Sequence, residues 1–231
     1  AQGCLKTFVT ASPDLVRPMP ATLSFEEAAA LPVVAATVSY ALEQLAKVES
    51  GEKVLIHTAT GGVGLIAIQH CQKVGATVYA TCSGGVKEEY LKSAGIQYIT
   101  TSRDSKSFAK DMREFLGEDG HIDVVLNTLV DDYIPESLKL LGPNGRFMEL
   151  GKRGIWTHEQ MKEARPDVYY ETIAVDTMME EDPAWFGGML DRIRERVESG
   201  QLSSLPLKVF DMEDPVEGGV AAFRFLQRAQ H

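Results

Sequence analysis

The stretch Val54-Leu55-Ile56-His57-Thr58-Ala59-Thr60-Gly61-Gly62-Val63-Gly64 constrains this chain more than any other. A short apolar run ends in small residues and glycines, and a segment of helical period follows. That order is strand, tight turn, helix, the opening of a dinucleotide-binding unit. Glycine lets a backbone approach a pyrophosphate with no side chain between them. A helix starting near Gly62 aims its free N–H groups and positive dipole end at the same point. The glycines are spaced Ala59-Thr60-Gly61-Gly62-Val63-Gly64 rather than as G-x-G-x-x-G.

Strand and helix patterns alternate downstream of this turn. Val54–Ile56, 77–81, 98–100, 123–129, 146–150 and 169–175 read as six strands. Segments 63–74, 87–93, 107–116 and 136–141 read as the helices between them, with a turn at 142–145 and a polar helix and loop at 156–166. Strand 123–129 is nearly all apolar, as expected when both faces of a parallel sheet are covered. The predicted fold is therefore α/β, a Rossmann-type doubly wound parallel sheet of order 3-2-1-4-5-6. Upstream, Ser24 with Glu27 reads as a capping box for a helix that Pro32 interrupts and 34–45 continues. A further helix is predicted over 183–199. Leu205–Phe210 reads as a strand and 215–227 as a helix, both outside the six-strand count. Leu5–Thr10 alternates like a strand with nothing before it to pair with. The domain reading is a tail of a second domain over 1–24, the nucleotide-binding domain over 25–200, and a return segment over 201–231.

Composition narrows the function. The net charge is −10, with both signs interspersed, which argues against nucleic acid. No apolar run reaches transmembrane length, so no membrane role is expected. Three cysteines, Cys4, Cys71 and Cys82, and five histidines are scattered. Neither a disulfide framework nor a metal site is expected, and a reducing cytoplasm fits. The sequence assigns no oligomeric state.

The coenzyme type is read from the end of the second strand. An NAD site places Asp or Glu there, roughly 20 residues past the glycines, on the ribose 2′-hydroxyl. Here the segment is Thr81-Cys82-Ser83-Gly84-Gly85-Val86-Lys87, with no carboxylate. A hydroxyl and an ammonium hold a 2′-phosphate that a carboxylate would repel. Ser83 and Lys87 therefore favour NADPH, and Arg103 is placed to reach the same phosphate or stack on adenine. His57 reads as a packing residue rather than a base. Glu149 reads as a weak candidate acid, and Tyr40 as a core tyrosine.

The stretches Phe25–Val33, 40–42 and 51–57 resemble the medium-chain dehydrogenase/reductase superfamily. Val124-Val125-Leu126-Asn127-Thr128-Leu129, Gly145-Arg146-Phe147-Met148-Glu149-Leu150-Gly151-Lys152 and Ala222-Phe223-Arg224-Phe225-Leu226 narrow the resemblance to the enoyl reductase domain of modular polyketide synthases. The resemblance implies a zinc-free enzyme that uses NADPH to reduce a 2-enoyl thioester carried on an acyl carrier protein, with other domains of the same megasynthase as partners. It maps Lys152 and Asp176 to proton-transfer or supporting roles. It maps Thr60, Gly61, Gly62, Val63, Ser83, Lys87, Arg103, Asn127 and Gly151 to coenzyme contacts. The chain departs from the family at Thr37-Val38-Ser39-Tyr40, where relatives carry Thr-Ala-Trp-Tyr. It also lacks most of the substrate domain and the final strand. Two other uses of the same hydride stay open. One is ring closure to a cyclopropane on a halogenated enoyl thioester, and the other is free-standing quinone or enone reduction. A non-catalytic docking domain is the third reading.

Overall fold

The computed structural model describes residues 7–214 and 218–227. The capping box forms: Ser24 Oγ accepts from Glu27 N and the Glu27 carboxylate accepts from Ser24 N, opening α1 (Phe25–Ala30). Pro32 sits in the first turn of α2 (Pro32–Val38). The chain then runs on as a π-helical segment over Ser39–Leu45, so the continuous helix expected over 34–45 is two segments. The alternating body follows as β1 (Lys53–Ile56), α3 (Gly62–Val74), β2 (Thr77–Cys82), α4 (Val86–Ser93), β3 (Tyr98–Thr101), α5 (Ser105–Leu116), β4 (Ile122–Asn127), α6 (Tyr133–Leu140), β5 (Leu141–Glu149), α7 (His158–Ala164) and β6 (Tyr169–Thr172). Helices α8 (Val175–Glu181), α9 (Pro183–Glu198) and α10 (Gly219–Gln227) close the chain.

The six strands form one all-parallel sheet of order β3-β2-β1-β4-β5-β6, as the sequence predicts. Each strand's apolar residues alternate between two covered faces. Val54, Ile56, Val78, Ala80, Val124, Leu126 and Met148 join the core beneath α2, α3 and α9. Leu55, Tyr79, Val125, Phe147 and Tyr170 join the opposite core with Phe108, Met112, Ile134 and Met161. Helices on both faces satisfy both rows, which is why the strands carry so few polar residues.

Several expectations need correction. The 142–145 turn lies inside β5, as an irregularity in its pairing between Ile122 and Val124 of β4. Strand six ends at Thr172 rather than 175, because α8, a helix the linear pattern does not signal, begins at Val175. The 205–210 segment is irregular rather than a strand. It lies over α3 instead, where a Cβ added to Gly62 would stand 3.5 Å from Leu205 Cδ1. Residues 7–10 form no strand, while Leu5 and Lys6 lie outside the described residues. The helix expected over 215–227 begins at Gly219; residues 215–217 lie outside the described part.

Candidate active site

Order 3-2-1-4 places β1 and β4 side by side while their following chains leave to opposite halves. That crease is the topological switch point, where doubly wound sheets bind ligands. The turn after β1 is built by local chemistry. Thr58 takes φ +53°, an uncommon conformation for a residue with a Cβ and one that clusters at ligand sites. Three bonds hold it there. Thr58 N donates to Thr81 Oγ1 at 3.0 Å, the Thr58 and Thr128 hydroxyls meet at 2.8 Å, and Gly61 N donates to Thr58 O at 2.9 Å. Helix α3 begins at Gly62 with Gly61 as its extended N-cap and no side-chain cap, so no side chain of its own competes for the first-turn N–H groups. A Cβ at Gly64 would lie 2.5 Å from the Ala59 carbonyl oxygen. Only glycine lets α3 sit this close to the turn.

His57 is buried at the end of β1. Its Nε2 lies 2.8 Å from Ser137 Oγ and its Nδ1 3.2 Å from Thr81 Oγ1. Burial pushes its pKa down to about 3, so it stays neutral and links α6 to the turn. This agrees with a packing residue rather than a base. Tyr40 meets Trp185 edge-on, with ring centroids 5.4 Å apart.

Five of the candidate coenzyme residues line two cavities that share Gly62, and Arg103 lines a third. Thr60, Gly62 and Lys87 line one of about 260 Å³, floored by Leu65 and walled by Tyr90 and Leu205. Gly61, Gly62 and Val63 line a second of about 330 Å³, which continues across His57, Thr58 and Thr128 to Leu150. Gly62 is common to both. Arg103 lies in a third, between the β3–α5 loop and Leu129–Tyr133. Ser83 is exposed just past β2, where Gly84 (φ +83°) and Gly85 (φ +60°) turn the chain into α4. The glycine turn and the uncapped helix start suit the pyrophosphate of a dinucleotide.

Asn127 and Gly151 lie deeper. Asn127 is fully buried. Its Nδ2 donates to Glu149 Oε2 at 2.6 Å and to Leu129 O at 2.7 Å, and its Oδ1 accepts from Leu129 N at 3.2 Å. Its side chain is thus engaged within the protein. Gly151 N donates to Glu149 Oε1 at 2.6 Å. Burial raises the Glu149 pKa against the pull of these bonds. One residue on, Lys152 Nζ pairs with Asp176 in the first turn of α8. The two side chains are 63% and 51% exposed, so the pair adds little stability and is open to an incoming molecule. The Lys152 hydrogen bond holds the Asp176 carboxyl below its usual range.

Thr58, Thr81 and Thr128 are the parts of the turn that the linear pattern does not single out, and Glu149, which it reads as a weak candidate acid, is buried and bonded to Asn127 and Gly151. The signal for two of these contacts lies in strand register. Ile56 pairs with Leu126, so Thr58 falls beside Thr128 two residues on; Asn127 pairs directly with Glu149.

Residues 62–193 match the protein-family model described as zinc-binding dehydrogenase. Among the described residues, no group of three or more His, Cys, Asp or Glu side chains is placed to hold a metal ion. The described residues therefore offer no ligand set for the zinc of that description. The chain is 37% identical over 233 residues to the spectinabilin polyketide synthase system protein NorB of Streptomyces orinoci, covering 100% of this chain and 10% of that protein. It thus spans about a tenth of the length of this curated relative. Among solved structures it is similar to CurK enoyl reductase, at 42% identity and TM-score 0.86, covering 96% of this chain and 65% of that one. It is also similar to the CurF ER cyclopropanase from the curacin A biosynthetic pathway, at 39% identity and TM-score 0.88, covering 96% and 64% respectively.

Proposed function

This chain belongs to the enoyl reductase domains of polyketide synthases, within the medium-chain dehydrogenase/reductase superfamily, and we propose that it reduces a 2-enoyl thioester carried on an acyl carrier protein, using NADPH. The observation that carries this reading is the Lys152–Asp176 pair at the carboxyl ends of β5 and β6, beside a glycine-lined crease at the switch point.

When bound, the coenzyme supplies a hydride to the β-carbon of the enoyl thioester. The chain's own residues orient the reactants and stabilise charge. Thr60, Gly61, Gly62 and Val63 cradle the pyrophosphate. Ser83 and Lys87 hold the 2′-phosphate, and Arg103 borders the adenine end. Asn127 and Gly151 shape the nicotinamide end. Negative charge develops on the thioester oxygen, and the Lys152 ammonium stabilises it or delivers a proton to the α-carbon. Asp176 holds the ammonium in place. Residues 25–200 are the nucleotide-binding domain in this reading; 1–24 and 201–231 belong to the substrate domain. The other domains of the megasynthase are the partners. Two buried free thiols, Cys71 and Cys82, suit a cytoplasmic setting.

The test is Lys152→Ala. It lowers kcat with an enoyl thioester about 100-fold or more while NADPH affinity stays within about threefold. An unchanged turnover overturns the assignment. The likeness to the CurF cyclopropanase supports a second reading, in which the enolate closes a ring by expelling halide. A γ-halogenated enoyl thioester separates the two: a cyclopropane product favours the second, a saturated halide the first.

A further inference from the structure

We propose that Glu149 is a positioning residue for this reaction: its buried carboxylate clamps the end of β4 to the turn after β5 and so sets where Lys152 stands. The inference rests on the reductase reading above for what Lys152 does.

Glu149 is 0% exposed, on a central strand of a parallel sheet. Removing a carboxylate from water is costly, and an apolar residue would fill this strand position without that cost. The raised pKa is the mark of that burial. The carboxylate is nevertheless well matched. One oxygen accepts from Asn127 and the other from Gly151 N, both at 2.6 Å. Asn127 cannot turn its amide round, because Leu129 N and Leu129 O fix its Oδ1 and Nδ2. Both side-chain oxygens of Glu149 thus accept from donors, Asn127 Nδ2 and Gly151 N. An ionised carboxylate accepts from both, whereas a glutamine must aim an NH₂ group at one of them.

The clamp leads to the candidate active site by a short covalent path. Gly151 is the residue before Lys152. A Cβ at Gly151 would stand 2.7 Å from Glu149 Oε1 and 2.7 Å from Ile155 Cγ2, so glycine keeps this approach close. The strand backbone adds to the fixation: Leu150 N donates to Asn127 O at 2.9 Å and Ile173 N donates to Glu149 O at 2.8 Å. Asn127 leads into Thr128, whose hydroxyl meets Thr58 on the glycine turn. One carboxylate thus joins the crease to the lysine turn.

The experiment compares the full chain with Glu149→Gln, Asn127→Ala and the double variant. It reads kcat, NADPH affinity by calorimetry and backbone amide resonances. The expected result is a fall of about tenfold in kcat for Glu149→Gln with NADPH affinity within about threefold. The Gly151 amide proton, far downfield when bonded to a carboxylate, moves upfield, and the Lys152 amide moves with it. The double variant loses clearly less than the product of the two single losses, because both act through one contact. The cycle also subtracts any coenzyme contact of Asn127's own. Unchanged kcat, or losses that multiply, overturns the proposal. Should Glu149→Gln fail to fold, Asn127→Ala still tests the clamp: an unmoved Gly151 and Lys152 amide then overturns it. A wild-type chain that binds NADPH but leaves the enoyl thioester intact defeats the functional reading instead. The amide shifts then judge the clamp alone, and their failure to move in Glu149→Gln overturns it.

Discussion

The two halves of the sheet share one plan, strand–helix–strand repeated about a switch point, yet they finish their strand ends differently. In the first half, β1 to β3, the candidate ligand groups past the strand ends are exposed or half-buried: Ser83, Lys87 and Arg103. Among the buried titratable groups there, His57 is held neutral between two hydroxyls. In the second half, β4 to β6, a buried carboxylate ties two strand ends together, while Lys152 and Asp176 reach the surface. On the proposed function, the difference separates two tasks. Holding a charged coenzyme needs accessible donors over an uncapped helix start. Presenting a cation to a reacting atom needs a turn that does not drift, because misplacement by an ångström costs rate.

The contrast can be broken by experiment. The largest effect concerns the neutral histidine. A His pKa lowered to about 3 in the fold, against 6.5 as its ordinary value, means the unfolded chain binds the extra proton first. Stability from this group is complete above pH 6.5 and is lost as pH falls towards 3. By pH 4 the loss is about 3 kcal/mol. Glu149 has the opposite sign: its raised folded pKa makes its contribution fall as pH rises above the ordinary carboxylate range. Stability to urea therefore declines steeply from pH 7 to pH 4 in wild type and more gently in His57→Gln. Equal slopes would break the contrast between the halves.

Next in size, Gly64→Ala drives a Cβ into the Ala59 backbone and destabilises by about 2 kcal/mol, with the turn displaced. Denaturation and NADPH calorimetry report the two losses together; a stable variant with intact binding would show that the close approach is dispensable. The smallest effect is Lys87→Ala, which weakens NADPH about tenfold and leaves NADH nearly unchanged. Equal weakening of both coenzymes would remove the 2′-phosphate from the first half.

Much of this is legible along the chain. The apolar runs, the glycine spacing and the Ser24–Glu27 box are local signals, and each becomes the expected element. Errors gather where local pattern competes with tertiary placement. Leu205–Phe210 alternates like a strand, yet its Leu205 packs over α3 instead. Val175 ends an apolar run that reads as strand, but the chain turns there to bring Asp176 to Lys152.

By itself, the order of apolar runs and glycines determined a doubly wound sheet with a glycine-lined turn after its first strand, because backbone sterics and burial period act over a few neighbouring residues. Only the tertiary structure decided that Glu149 meets Asn127, that Thr58 meets Thr128, and that Lys152 meets Asp176. Those pairings depend on strand register and on how far each chain overruns its strand, which the linear pattern does not encode.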